Sequence, residues 1–79
     1  MKKNEITIDE LLLKNFGRNL RAERNRAGLS QDELGEKIGI DGRHISKIER
    51  GLANTKYTTI VAILNVLNIP FDKLYIKDR

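Results

Sequence analysis

The sequence predicts an all-α fold, a compact bundle of five helices, and three observations carry that expectation. Thr7-Ile8-Asp9-Glu10 and Ser30-Gln31-Asp32-Glu33 are capping boxes, each with a hydroxyl three residues before a carboxylate, so that each side chain satisfies the other residue's orphan amide. Gly28, Gly39 and Gly51 stand where an apolar pattern stops, the place at which a left-handed residue closes a helix. Between these punctuation marks apolar residues recur every three or four positions rather than every two.

Taken in order, Met1 to Ile6 reads as a flexible lead-in and the first helix runs from about Ile8 to Ala27. Leu12, Phe16 and Leu20 share its inner face, while Arg18, Arg21 and Arg26 lie largely off it. Gly17 interrupts this pattern and implies either a kink or a break. The second helix starts at Gln31, carries the stripe Leu34 and Ile38, and stops at Gly39 after barely two turns. Asp41 then caps a third helix whose buried stripe is Ile45 and Ile48 and whose end is Gly51. After the non-periodic stretch 52–56, Thr55 is the expected cap of a fourth helix that turns Tyr57, Ile60, Ile63, Leu64 and Leu67 inward. Asn68-Ile69-Pro70 breaks it, and Phe71-Asp72-Lys73-Leu74-Tyr75 reads as a short fifth helix begun by Pro70. Lys77-Asp78-Arg79 is a solvated tail.

A chain of 79 residues supports one domain, 1–79, with no room for a separate effector domain. It has no Cys, hence no disulfide, no thiolate metal site and no thiol nucleophile. The lone His44 has no second histidine to pair with, there is no Gly-rich phosphate loop, and the acids fall on caps and salt-bridge positions, so an enzyme, a metal or a cofactor is not expected. No stretch approaches the roughly 20 apolar residues of a membrane span, and the N-terminus leads into charged sequence rather than a signal core. A cytoplasmic location is the expectation. The formal net charge of +4 permits a polyanionic partner without demanding one.

Two short helices joined through a Gly-containing turn make a helix-turn-helix outline. With Ile45 and Ile48 facing inward, Gly42, Arg43, His44, Ser46, Lys47 and Arg50 occupy the N-terminal end and outer face of the second of them. That face is cationic and rich in hydrogen-bonding groups, as a helix entering the major groove of double-stranded DNA must be. Arg43 is the leading base reader, because its planar fork donates two bonds to O6 and N7 of a guanine. Lys47, one turn on, faces a base acceptor or a phosphate; His44 reaches a phosphate or a base edge, or packs on the helix shoulder. Ser46 is small enough to admit the groove wall and to bond a base or phosphate. Gln31 starts a helix, where orphan amides and the dipole favour a DNA phosphate. Val61, Ala62 and Val66 lie off the inward stripe, and with Ile69, Phe71 and Tyr75 they form a candidate self-association surface.

Over roughly Phe16 to Tyr75 the chain resembles the XRE-type helix-turn-helix family of phage repressors and Cro proteins, with a lambda-repressor-like fold. The blocks that carry the likeness are Leu20-Arg21-Ala22-Glu23-Arg24, Gly28-Leu29-Ser30-Gln31-Asp32-Glu33-Leu34 and Ile45-Ser46-Lys47-Ile48-Glu49-Arg50-Gly51. The resemblance implies a partly buried ion pair between Arg24 and Glu49, and DNA-backbone contacts from Arg50, Asn54, Thr55 and Lys56. It implies a homodimer whose two recognition helices read successive major-groove faces of a palindromic operator, about 34 Å apart. Gly35 departs from the family's usual Ala, and Gly42 stands at the first base-facing position, where the family has a polar side chain. The expected role is a transcription regulator, a repressor or a protein that recruits RNA polymerase, with no small-molecule effector. The length, the extra N-terminal turns and the helix from Asp41 to Ser46 also resemble the controller proteins of restriction-modification systems. The alternative is an antitoxin-like protein-interaction module whose DNA binding is secondary.

Overall fold

Four of the five expected helices form as α-helices and the fifth is a single 3-10 turn. The structure is a computed structural model and describes residues 6–75, so the tail at 77–79 and all of the lead-in except an exposed, non-helical Ile6 lie outside it. The elements are α1 (Ile8–Arg26), α2 (Gln31–Ile38), α3 (Gly42–Glu49) and α4 (Tyr57–Leu67), followed by the 3-10 turn Phe71–Lys73, with no strand among the described residues.

Both capping boxes close. The Glu10 amide donates to Thr7 Oγ1 at 3.1 Å and the Thr7 amide to Glu10 Oε1 at 2.9 Å; at α2 the Ser30 and Glu33 bonds are 2.8 and 3.0 Å. Asp41 caps α3, its Oδ1 accepting from the Arg43 amide at 2.8 Å. Gly39 ends α2 at φ +82°, which no β-carbon opposes. Thr55 does not cap α4: its own amide donates to Asn54 Oδ1, and an extended Lys56 takes the cap position without a side-chain bond. The fifth helix is a single turn, followed by Leu74, which lies in the core and whose carbonyl accepts from Asn19 Nδ2 at 3.0 Å.

Leu20, Leu34, Ile45, Ile48, Ile63, Leu67 and Leu74 form the buried core. α3 packs against both α2 and α1, and α4 packs on α2. Tyr57, expected inside, is 78% exposed, because it is the first residue of α4 and extends past the packed part of the helix. Leu12 also remains exposed at one end of the Leu12, Phe16, Leu20 stripe. At about 1.5 Å per residue α1 is more than twice as long as α3, so its first turns have no helix of equal length to cover them.

Gly17 does not break α1, which continues through it from Ile8 to Arg26. A β-carbon there would meet the carbonyl oxygens of Ile48 and Glu49 in α3. Its role is close approach of two backbones, the helix-packing counterpart of a small residue at a crossing. Gly35 does the same between α2 and the turn, where a β-carbon would meet the Ile40 carbonyl oxygen and lie 3.2 Å from the Gly42 amide nitrogen.

Replacing Gly17 with Ala should therefore destabilise the fold by about 1 to 3 kcal/mol through overpacking, even though Ala is favoured over Gly inside a free helix by about 1 kcal/mol. Urea denaturation measures the sign directly, and a more stable Gly17→Ala protein would show that α1 and α3 do not need this approach. Acid supplies a second expectation. The Ser30 amide and hydroxyl hold the Glu33 carboxyl below its ordinary value of 4.5. The stability this contributes is complete above that value and is lost as pH falls through the depressed one. The urea midpoint should fall with acidification in that range, and Glu33→Gln, which keeps the capping geometry, should shallow the slope.

Candidate nucleic-acid interface

The amphipathic division of α3 sets the site. Ile45 and Ile48 are buried, whereas Arg43, His44, Lys47 and Arg50 are exposed and Ser46 is half-buried. Gly42 is not on this outer face: it is buried against α2, where a β-carbon would meet the Asp32 carboxylate and come within 3.0 Å of the Asp32 Cα. The first helical position of α3 is thus a packing position, and the exposed chemistry starts at Arg43. The Arg43 side chain is 91% exposed yet bonded to its own helix cap, with Nη2 donating to Asp41 Oδ2 at 3.0 Å. This hydrogen bond lowers the Asp41 pKa and raises that of Arg43.

The other end of α3 is held by a buried ion pair. Arg24 Nε and Nη2 donate to Glu49 Oε2 and Oε1 at 2.6 and 3.0 Å, joining α1 to α3 in the bidentate geometry of an arginine fork. Arg24 Nη1 also donates to the Leu29 carbonyl oxygen at 2.8 Å and to Asn25 Oδ1 at 3.2 Å, so the guanidinium ties in the loop before α2 as well. The hydrogen bond to Glu49 raises the Arg24 pKa, against the opposing effect of burial. Gln31 joins this group: its Nε2 donates to Glu49 Oε1 at 3.1 Å.

Around the pair lies an open polar cleft lined by Arg21, Ser30, Gln31, Ser46 and Arg50. The first amides of α2 have no intrahelical acceptor, so the cleft unites orphan donors, a positive dipole end and two flanking cations. Arg21 is the residue that sequence reasoning set aside; its place three residues before Arg24 was the available signal. Asp41 was read only as a cap, although an Asp two residues before an Arg at a helix start is within reach of its guanidinium.

The remaining candidates separate. Asn54 and Thr55 border an apolar groove with Leu12, Phe16 and Ile60 rather than the polar cleft, and Lys56 is exposed beside them. Of the apolar set on the last elements, Val66 and Ile69 pack against the core, and Val61 and Ala62 are half-buried. Phe71 and Tyr75 are about half exposed and stack on one another with ring centroids 5.8 Å apart. No helix among the described residues is long and apolar enough to cross a membrane.

Residues 20–74 match the family described as "Helix-turn-helix". The chain is 31% identical over 64 residues to the HTH-type transcriptional regulator ImmR of Bacillus subtilis, covering 81% of this chain and 50% of that one. It is 35% identical over 54 residues to an uncharacterized HTH-type transcriptional regulator, R00410, of Rhizobium meliloti, covering 68% and 39%. The chain thus spans half or less of these curated relatives. Among solved structures it resembles the restriction-modification controller protein C.AhdI of Aeromonas hydrophila, with a TM-score of 0.74 and 34% identity over 78% of this chain and 94% of that one. The clp gene regulator ClgR of Corynebacterium glutamicum shares the fold at a TM-score of 0.78, with 23% identity over 82% of this chain and 69% of that one.

The ion pair makes an asymmetric prediction about stability. Glu49→Ala leaves the Arg24 charge buried alone and should cost about 3 to 5 kcal/mol, whereas removing both charges with Arg24→Met and Glu49→Leu should cost far less. Thermal unfolding of the two proteins compares them, and equal losses would mean that the pair is not the constraint inferred from its geometry.

Proposed function

The chain belongs to the XRE-type helix-turn-helix family, and from that membership we propose that it is a sequence-specific DNA-binding transcription regulator acting as a homodimer on a palindromic operator. The observation that carries this reading is the division of α3, with an apolar side locked into the core and Arg43, His44, Lys47 and Arg50 left outward. A helix so placed meets the two demands of a major-groove reader, a rigid mount and exposed donors. Arg43 reads a guanine; Lys47, Ser46 and His44 contact base edges or the adjoining phosphates. The polar cleft beside α3 takes a backbone phosphate, held by the α2 amides and Gln31 with Arg50 alongside. Asn54, Thr55 and Lys56 make outlying backbone contacts.

The dimer is proposed on the surface carrying the exposed Phe71–Tyr75 stack and Leu12, together with Val61 and Ala62 of α4. Stacked aromatic rings left half in water are the kind of apolar surface that a second copy buries. Within the family, likeness to the controller protein across nearly its whole length favours a regulator of that type. Such a protein occupies its operator and blocks or recruits RNA polymerase, and it works in the cytoplasm.

Selection of bound sites from random duplex DNA, followed by titration of the winner at several salt concentrations, tests this. The expected result is a two-fold symmetric consensus with half-sites about one helical turn apart, bound at least ~10^3 tighter than random DNA. Weak, steeply salt-dependent binding without a consensus would overturn it and favour a protein-interaction module. Arg43→Ala should relax preference at one base position per half-site, while Gln31→Ala should weaken binding to every sequence alike. A uniform loss for Arg43→Ala would reassign that side chain to phosphate.

A further inference from the structure

Asp41 meets Arg43 with both carboxylate oxygens. Oδ1 accepts the Arg43 backbone amide at 2.8 Å, the cap bond, and also Nε at 3.3 Å, while Oδ2 accepts from Nη2 at 3.0 Å. A guanidinium carries five N–H donors in one rigid plane. This side-on engagement uses the Nε–H and one Nη2–H. The end-on edge, one N–H from each terminal nitrogen, remains free, and such a parallel pair of donors matches O6 and N7 of a guanine.

We infer that Asp41 is a positioning residue for base recognition, bracing the Arg43 guanidinium so that its end-on edge is presented to the major groove. The inference rests on the reading of Arg43 as a base contact. An exposed ion pair alone would hold a long side chain only loosely. Here the carboxylate is itself fixed by its cap bond to the backbone of the same arginine, so the brace and the helix start form one ring of bonds. The negative charge has a second consequence. At the DNA-facing end of α3 it repels phosphate, so it disfavours binding that does not engage Arg43 with a base.

Asp41→Asn separates the brace from the cap. Asn caps a helix as well as Asp does, but it carries no charge and replaces one of the two acceptor oxygens with a donor amide. Random-duplex selection is run with the wild type, Asp41→Asn, Arg43→Ala and the double variant, after circular dichroism has shown each folded. Asp41→Asn should lower the guanine preference at one position per half-site by about fivefold or more. It should leave the other positions unchanged and binding to random DNA undiminished, and it should add nothing in the Arg43→Ala background. A merely structural defect would weaken all sequences together, and that outcome overturns the inference. So does a wild-type guanine preference in Asp41→Asn where Arg43→Ala has lost it, with the base-reading role of Arg43 left standing. An unchanged preference in Arg43→Ala would sink both. In the free protein, solvent exchange of the Arg43 Nε–H by NMR should be slower in the wild type than in Asp41→Asn, and equal rates would count against the brace. Asp41→Ser, a neutral cap with a single side-chain oxygen, serves the same comparison should the Asn variant not fold.

Discussion

A buried arginine–carboxylate pair governs the placement of the third helix. Arg24 and Glu49 lie in the interior with side chains 9% and 2% exposed, where each charge alone would be strongly unfavourable. Their mutual bidentate bonds, with the Leu29 carbonyl and the Gln31 amide group, leave no buried side-chain polar atom without a partner among the described residues. Since the penalty is avoided only when all these groups meet, the pair admits few arrangements of α1, the loop before α2, and the end of α3. Its contribution is geometric more than stabilising.

The close approach of backbones complements the pair. Gly17 lets α1 reach the carbonyls at the end of α3, and Gly35 lets α2 reach the turn that precedes it. Gly42 admits Asp32 of α2 beside the start of α3. With seven buried apolar residues among the described residues, the core is small, and backbone proximity brings Ile45 and Ile48 fully into it. An eight-residue helix is too short to be stable alone in water. α3 therefore owes its form and orientation to these contacts, and this frees its outer face from any structural duty.

What stands on that outer face is charged and mostly exposed, and the surrounding interactions sort it by role. Arg50 borders the cleft beside the first amides of α2, a setting for a group of fixed negative charge. Arg43 is drawn to the cap at the opposite end of α3. Under the proposed function, affinity for the phosphate backbone resides at the start of α2 and just past the end of α3, and discrimination among bases at the start of α3.

Much of this architecture was legible in the residue order because it depends on contacts within four positions. Ser30 with Glu33, Thr7 with Glu10 and Asp41 with the amide of Arg43 are local bonds, and the spacing of Ile45 and Ile48 defines an inner face on any helix. Arg24 and Glu49 were paired by resemblance. Their bond to Gln31, which turns a presumed phosphate ligand partly inward, is not visible in spacing. Likewise Gly17 looked like a flaw in α1, Gly42 like a gap on the outer face, and Tyr57 like a core residue. Only the tertiary structure decided these, because a residue's neighbours across a helix crossing depend on where the helices meet. The sequence by itself determined where the first three helices start and that Ile45 and Ile48 of α3 turn inward. Packing decided which glycines are contacts and which polar side chains remain free to meet a partner.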